Sequence, residues 1–133
     1  AYEYDGESEG WYAHYFEKFT QAFYTSNTPW ATTLGNHDSE GDLTREEINE
    51  LDRSYDLSMT QPSAEGVSHA FNYFLPVYAE GEEQFRLWFV DSGDYDCMGV
   101  QGYDCVKPDQ VQWLREEASK IPEDHVSKGK GFM

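Results

Sequence analysis

The stretch Trp30-Ala31-Thr32-Thr33-Leu34-Gly35-Asn36-His37-Asp38 decides how the chain is read. Its first five residues are apolar or β-branched, the composition of a buried strand in a parallel sheet. The run stops at a glycine, and an amide, an imidazole and a carboxylate follow without a spacer. Three polar groups thus stand at the carboxyl end of a predicted strand, where open α/β sheets bind ligands. Gly-Asn alone is ordinary turn chemistry, and His-Asp alone an ordinary surface pair. The strand in front of them is what makes the four residues informative.

On the amino-terminal side, Tyr12, Phe16, Phe19 and Phe23 recur at helical spacing between Gly10 and Phe23, which predicts a helix whose aromatic stripe packs on a sheet. His14 falls off the stripe and is expected in solvent. Asn27-Thr28-Pro29 ends this helix and leads into the predicted strand. On the carboxyl-terminal side, Thr44 and Glu47 have capping-box spacing, with Leu43 and Ile48 as the hydrophobic staple. The helix they start runs to about Tyr55, with Ile48, Leu51 and Tyr55 inward and its acidic residues mostly solvated. Arg45 has two readings: a surface salt bridge with Glu40 or Asp42, or a guanidinium near a phosphate site.

Residues 60–66 have loop composition. His69 to Tyr78 and Glu83 to Val90 read as strands, and the link Ala79-Glu80-Gly81-Glu82, too short for a crossover helix, makes a hairpin the economical inference. Pro76 lacks a donor, so the first strand is at an edge or bulged there. Asp91, Asp94, Asp96 and Asp104 do not have calcium-loop spacing and are expected to be solvated or turn-forming. Lys107-Pro108-Asp109 starts a last helix, buried through Val111, Leu114, Ala118 and Ile121, and Pro122 stops it. His125 follows in a loop exposed to solvent. Cys97 and Cys105 lack Cys-x-x-Cys spacing; a local disulfide in an oxidising compartment is the preferred reading, two free thiols in a cytosolic protein the alternative.

With 26 acidic residues against 9 basic ones, the 133-residue chain has a formal charge of −17. Such a field repels nucleic acid and anionic membrane surfaces. It would repel a phosphate ester too, unless bound cations invert the sign locally. Aromatic residues at 17% argue against disorder. No run approaches the roughly 20 apolar residues of a membrane span. The chain opens on Ala-Tyr-Glu-Tyr and closes on Lys128-Gly129-Lys130-Gly131-Phe132-Met133, which suggests an internal piece of a longer domain.

Gly35-Asn36-His37-Asp38 resembles the Gly-Asn-His-Asp/Glu block of the calcineurin-like metallophosphoesterases. Ser39-Glu40-Gly41 with Leu43-Thr44-Arg45, then Asn72-Tyr73, then Leu87-Trp88-Phe89-Val90-Asp91-Ser92, resemble the purple-acid-phosphatase-like branch. The resemblance implies an α/β fold, with residues 1–133 an internal segment of one domain and the central part of a four-layer α/β/β/α sandwich.

It also implies a metal-dependent phosphoesterase, hydrolysing phosphomonoesters with a hydroxide activated by two metal ions: iron, manganese or zinc. Asn36 would bind the second metal through its side-chain oxygen. His37 would hydrogen-bond the phosphoryl group and help protonate the leaving oxygen, and Asp38 would orient His37. The family's earlier Asp-x-His and Gly-Asp-x-x blocks, and its later single histidine and Gly-His-x-His block, are absent. Most metal ligands would therefore lie outside this chain, the segment alone would be inactive, and the remainder of its own catalytic domain would be its partner. The implied location is secreted, extracellular or vacuolar, with the cytoplasm as the alternative. A non-catalytic extracellular binding or structural module keeping the fold is the competing reading.

Overall fold

The computed structural model describes residues 8–121. The architecture is mixed α/β: helix α1 (Trp11–Ser26), helix α2 (Arg45–Arg53), strands β1 (Tyr73–Ala79) and β2 (Glu82–Phe89), strands β3 (Tyr95–Cys97) and β4 (Val100–Tyr103), and helix α3 (Pro108–Ser119). Each strand pair is an antiparallel two-stranded sheet.

Helix α1 starts at Gly10, whose left-handed backbone has no capping side chain of its own. Asp42 takes that role from across the fold, accepting the N–H groups of Gly10 (2.6 Å) and Tyr12 (2.8 Å). A carboxylate there satisfies orphan amides and complements the helix dipole. At the far end Asn27, also left-handed, returns its N–H to the last turn, and Pro29 prevents continuation.

The aromatic stripe of α1 does not lie on a sheet. Phe16 meets Tyr55 with ring centres 5.5 Å apart, and Phe23 meets Trp30 at 5.7 Å. Tyr12 packs against the core, while Phe19, expected inside, is 60% exposed. His14 is exposed, as its position off the stripe predicted.

The strand expected at residues 30–34 forms no ladder among the described residues. Its one pairing is an isolated parallel bridge from Trp30 to Ser58. Side chains satisfy much of the rest. The fully buried Asp52 of α2 accepts hydrogen bonds from the Trp30 indole (2.7 Å), the Thr32 hydroxyl (2.5 Å) and the Thr60 hydroxyl (2.6 Å). Thr60 accepts the Thr32 N–H, and Tyr73 donates its hydroxyl to the Thr32 carbonyl. Asp52 is thus not solvated: a carboxylate with three donors can stay in the interior.

The capping box of α2 forms as expected, Thr44 accepting from Glu47 N–H and Glu47 from Thr44 N–H. The helix ends at Arg53 rather than Tyr55. Its buried face is Arg45, Ile48, Asn49 and Asp52, so only one residue of the predicted apolar set, Ile48, is fully buried. Ile48 joins Leu34, Ala70, Phe71 and Tyr73 in the core, with Tyr12, Leu43, Leu75 and Phe89 around them.

The main hairpin runs from Tyr73 opposite Phe89 to Ala79 opposite Glu82, turning on Glu80-Gly81, both with positive φ. Two such residues match the twist of an antiparallel pair. The expected irregularity near Pro76 is a register shift between Val77 and Tyr78. The first strand begins four residues later than predicted. Residues 69–72 are instead held by the buried Asn72 amide, which donates to the Ser68 carbonyl at 2.7 Å, a local bond that competes with strand pairing.

Helix α3 docks on the hairpin through Trp113 and Trp88, whose ring centres are 5.7 Å apart. Ile121 is buried, Leu114 and Ala118 are half-buried, but Val111 is exposed. The inward position of the first turn belongs to Gln110, which donates to Asn72 Oδ1 and the Asp91 carbonyl, both at 2.6 Å. His125 and Pro122 lie outside the described residues.

Candidate functional site

Residues 30–34 lead Gly35-Asn36-His37-Asp38 into a tight turn. Asp38 folds back so that its carboxylate accepts the Gly35 N–H at 2.6 Å, and Glu40 N–H closes on the His37 carbonyl at 3.1 Å. A Cβ at Gly35 would sit 3.3 Å from that carboxylate, so the turn favours glycine there.

Arg45 fastens this turn to the hairpin. Its Nη1 donates to the Gly35 carbonyl (3.0 Å) and to the Ser39 hydroxyl (3.3 Å), while Nε and Nη2 grip both oxygens of Asp91. Asp91 follows the end of β2 and also accepts the Ala70 and Gly93 N–H groups. Both partners are buried. The surface salt bridge with Glu40 or Asp42 does not form, because the guanidinium is buried and committed to Asp91 beside the tetrad turn. Asp91 is likewise not solvated: it is an interior acceptor, and it also closes a local turn onto the Gly93 N–H. A bidentate guanidinium–carboxylate pair whose remaining lone pairs meet backbone amides can stay charged in the interior.

The His37 ring projects outward. Its Nδ1 lies 2.8 Å from Glu40 Oε1 and 3.1 Å from the Tyr95 hydroxyl, and that hydroxyl donates to the same Glu40 oxygen at 2.6 Å. The Tyr95 hydroxyl, then His37, hold the Glu40 carboxyl below the usual carboxylate range. In return, Glu40 pushes the Tyr95 phenol up, and the nearby Asn36 amide partly offsets the rise. The carboxylate on His37 is therefore Glu40. Asp38, expected to orient the imidazole, spends its hydrogen bond on Gly35.

The Asn36 side chain is half-buried, and its amide nitrogen is sealed from solvent with no hydrogen bond of ordinary geometry. The amide acts on the Tyr95 phenol, and its oxygen suits a hard cation as a neutral ligand. One amide is not a metal site. Among the described residues, the one cluster with metal-ligand spacing is Cys97, Asp104 and Cys105. Its two sulfurs are joined in a disulfide, as the preferred reading expected, and offer no thiolate. Asp104 is held below the carboxylate range: burial works against this, but the Lys107 ammonium and the Cys105 amide prevail.

Sequence reasoning located the tetrad and missed Glu40 and Tyr95 as its neighbours. Glu40 lies three residues after His37, a spacing that a turn brings together. Tyr95 is 58 residues away on a hairpin closed by the disulfide, and no local pattern signals it.

No protein-family model and no solved structure matches the chain. It is similar to the probable inactive purple acid phosphatase 29 of Arabidopsis thaliana, 26% identical over 114 residues that cover 77% of this chain and 29% of that protein. It is 30% identical to phosphatase DCR2 of Saccharomyces cerevisiae over 100 residues, covering 66% of this chain and 17% of the relative. With the probable inactive purple acid phosphatase 28 of Arabidopsis thaliana it shares 32% identity over 106 residues, covering 66% and 27%. The chain thus spans under a third of the length of each of these relatives.

Proposed function

From its relationship to the purple-acid-phosphatase-like metallophosphoesterases, we propose that this chain is the central section of a metal-dependent phosphomonoesterase domain. The observation that carries this reading is the tetrad turn itself. Buried Arg45 and Asp91 fix the turn, the Asn36 amide nitrogen is sealed without a hydrogen bond of ordinary geometry, and the His37 ring faces outward.

Asn36 would supply a neutral oxygen ligand, and the remaining ligands would come from outside these residues. Iron, manganese or zinc bound there would supply water activation and charge neutralisation. His37 would present Nε2 to a phosphoryl oxygen and carry the proton to the leaving oxygen. Asp38 would shape the turn through Gly35. The need for cations also fits the charge of −17, which without them opposes a phosphate ester. The Cys97–Cys105 disulfide supports a secreted, extracellular or vacuolar location over a cytoplasmic one. No helix among the described residues is long and apolar enough to cross a membrane.

Turnover of a chromogenic phosphomonoester by the full-length protein, with and without chelator, tests the reading. Chelator-sensitive hydrolysis is expected; metal-independent hydrolysis, or none, overturns it. A second reading has its own support, since two of the relatives are named as probable inactive enzymes. On that reading the fold persists as a non-catalytic extracellular binding or structural module, and the full-length protein lacks bound metal.

A further inference from the structure

We propose that Glu40 and Tyr95 are positioning residues for His37, together fixing which ring nitrogen carries the proton and which faces the reaction. The proposal rests on the hydrolase reading for its kinetic consequence, but its structural content stands apart from activity.

Two groups of the tetrad turn and one from a remote strand meet at one point. Glu40 Oε1 receives the Tyr95 hydroxyl at 2.6 Å and lies 2.8 Å from His37 Nδ1. A carboxylate accepts only, so the hydrogen between the last two atoms belongs to Nδ1. Nε2, on the other side of the ring, is then the nitrogen left for an external partner. The Tyr95 ring stands edge-on to the imidazole at 76° with centres 6.1 Å apart, so it packs against the ring that its hydroxyl also reaches. Sequence adjacency nominates Asp38 for this work, yet its carboxylate is turned onto Gly35 N–H.

Tyr95 is itself held in place. Its N–H donates to Asp94 Oδ1, Asp94 Oδ2 takes the Ser39 hydroxyl at 3.5 Å, and the Asp94 carbonyl accepts Asp104 N–H. The Cys97–Cys105 bond closes the same hairpin, joining residues whose Cα atoms are 5.2 Å apart. The strand that leads into the disulfide loop thus presents one phenol to the tetrad. An isolated imidazole favours the proton on Nε2, so a fixed acceptor at Nδ1 reverses a preference that a free ring would show. Such an outer partner typically matters by about 10- to 100-fold in activity.

The test is nitrogen NMR of the full-length protein carrying labelled histidine, at a pH where His37 is neutral, with His37→Ala assigning the signal. The wild type is expected to show Nδ1 protonated and Nε2 bare. Glu40→Ala is expected to shift the ring toward the Nε2–H form, and Glu40→Gln, which keeps an acceptor oxygen, to restore Nδ1–H. Tyr95→Phe is expected to weaken the bias without reversing it. In parallel, Glu40→Ala should lower kcat by about 10- to 100-fold with KM little changed. An Nε2–H wild type, or an Nδ1–H signal that survives Glu40→Ala, overturns the proposal, as does unchanged kcat. A wild type with the expected tautomer but no hydrolysis keeps the positioning role and removes the hydrolase reading instead.

Discussion

Arg45 and Asp91, 46 residues apart, meet in a buried bidentate pair that joins the first turn of one helix to the end of a hairpin strand. The same guanidinium holds the Gly35 carbonyl, so the position of the tetrad depends on a pair formed by two residues outside it. Removing one partner would strand the other charge in the interior. Asp91→Ala is therefore expected to destabilise the protein by about 3–5 kcal/mol, and the double variant Arg45→Met/Asp91→Ala by less than the sum of the two single changes. Chemical denaturation measures both; additive losses would show that the pair is not coupled.

Asp42 caps helix α1 from a distance. Burial pushes its carboxyl up, but the Tyr12 and Gly10 amides outweigh this and hold it below its ordinary value of 3.8. A depressed carboxyl contributes stability above its unfolded value and loses it as pH falls through the folded one. Asp42→Ala should cost about 0.5–2 kcal/mol at neutral pH, and the gap from wild type should close below about pH 4. Thermal melts across that range check it; a gap independent of pH would contradict the assignment.

At the alkaline end the group to watch is Tyr73, whose phenol is pushed up to about 12, chiefly by burial. It donates to the Thr32 carbonyl and so holds the segment before the tetrad. A raised folded value means that this contribution is complete below the ordinary value of 10.0 and disappears as pH rises toward 12. Tyr73→Phe should remove the part of the alkaline stability loss that ionisation of this phenol causes. An identical alkaline profile in wild type and variant would show that Tyr73 carries none of it.

The Cys97–Cys105 bond closes a short loop in which most side chains are exposed, so little apolar packing can substitute for it. Cys97→Ser/Cys105→Ser is expected to cost about 2–3 kcal/mol by the chain-entropy relation. Denaturation midpoints with and without reductant measure the loss. A variant as stable as the wild type would make the disulfide incidental.

How far the sequence could be read depended on the range of each interaction. The capping box at Thr44, the hairpin at Glu80-Gly81, the proline start of α3 and the disulfide are settled within a few residues and were legible. Asp52, Asp91 and Gln110 were not. Acidic or amide side chains enter the interior only when donors and acceptors from elsewhere meet them, and hydrophobic periodicity carries no trace of that meeting. Phe19 and Val111 fail in the opposite sense: an apolar residue on the right face is buried only if something lies against it. The run from Trp30 to Leu34 reads as a strand, yet it joins no sheet among the described residues and is bonded through Asp52, Thr60 and Tyr73 instead. Within the site, the tetrad was plain and Tyr95 was out of reach.

Turnover by the full-length protein carrying His37→Ala, with its metal content measured on the same sample, bears on the role of the tetrad more sharply than any other observation. Loss of the proton-carrying imidazole should lower phosphomonoester turnover by about two to four orders of magnitude while metal content stays near that of the wild type, because Asn36 and not His37 is the proposed ligand. Turnover equal to that of the wild type would remove His37 from the reaction and, with it, the reading of the tetrad as part of a phosphoesterase centre.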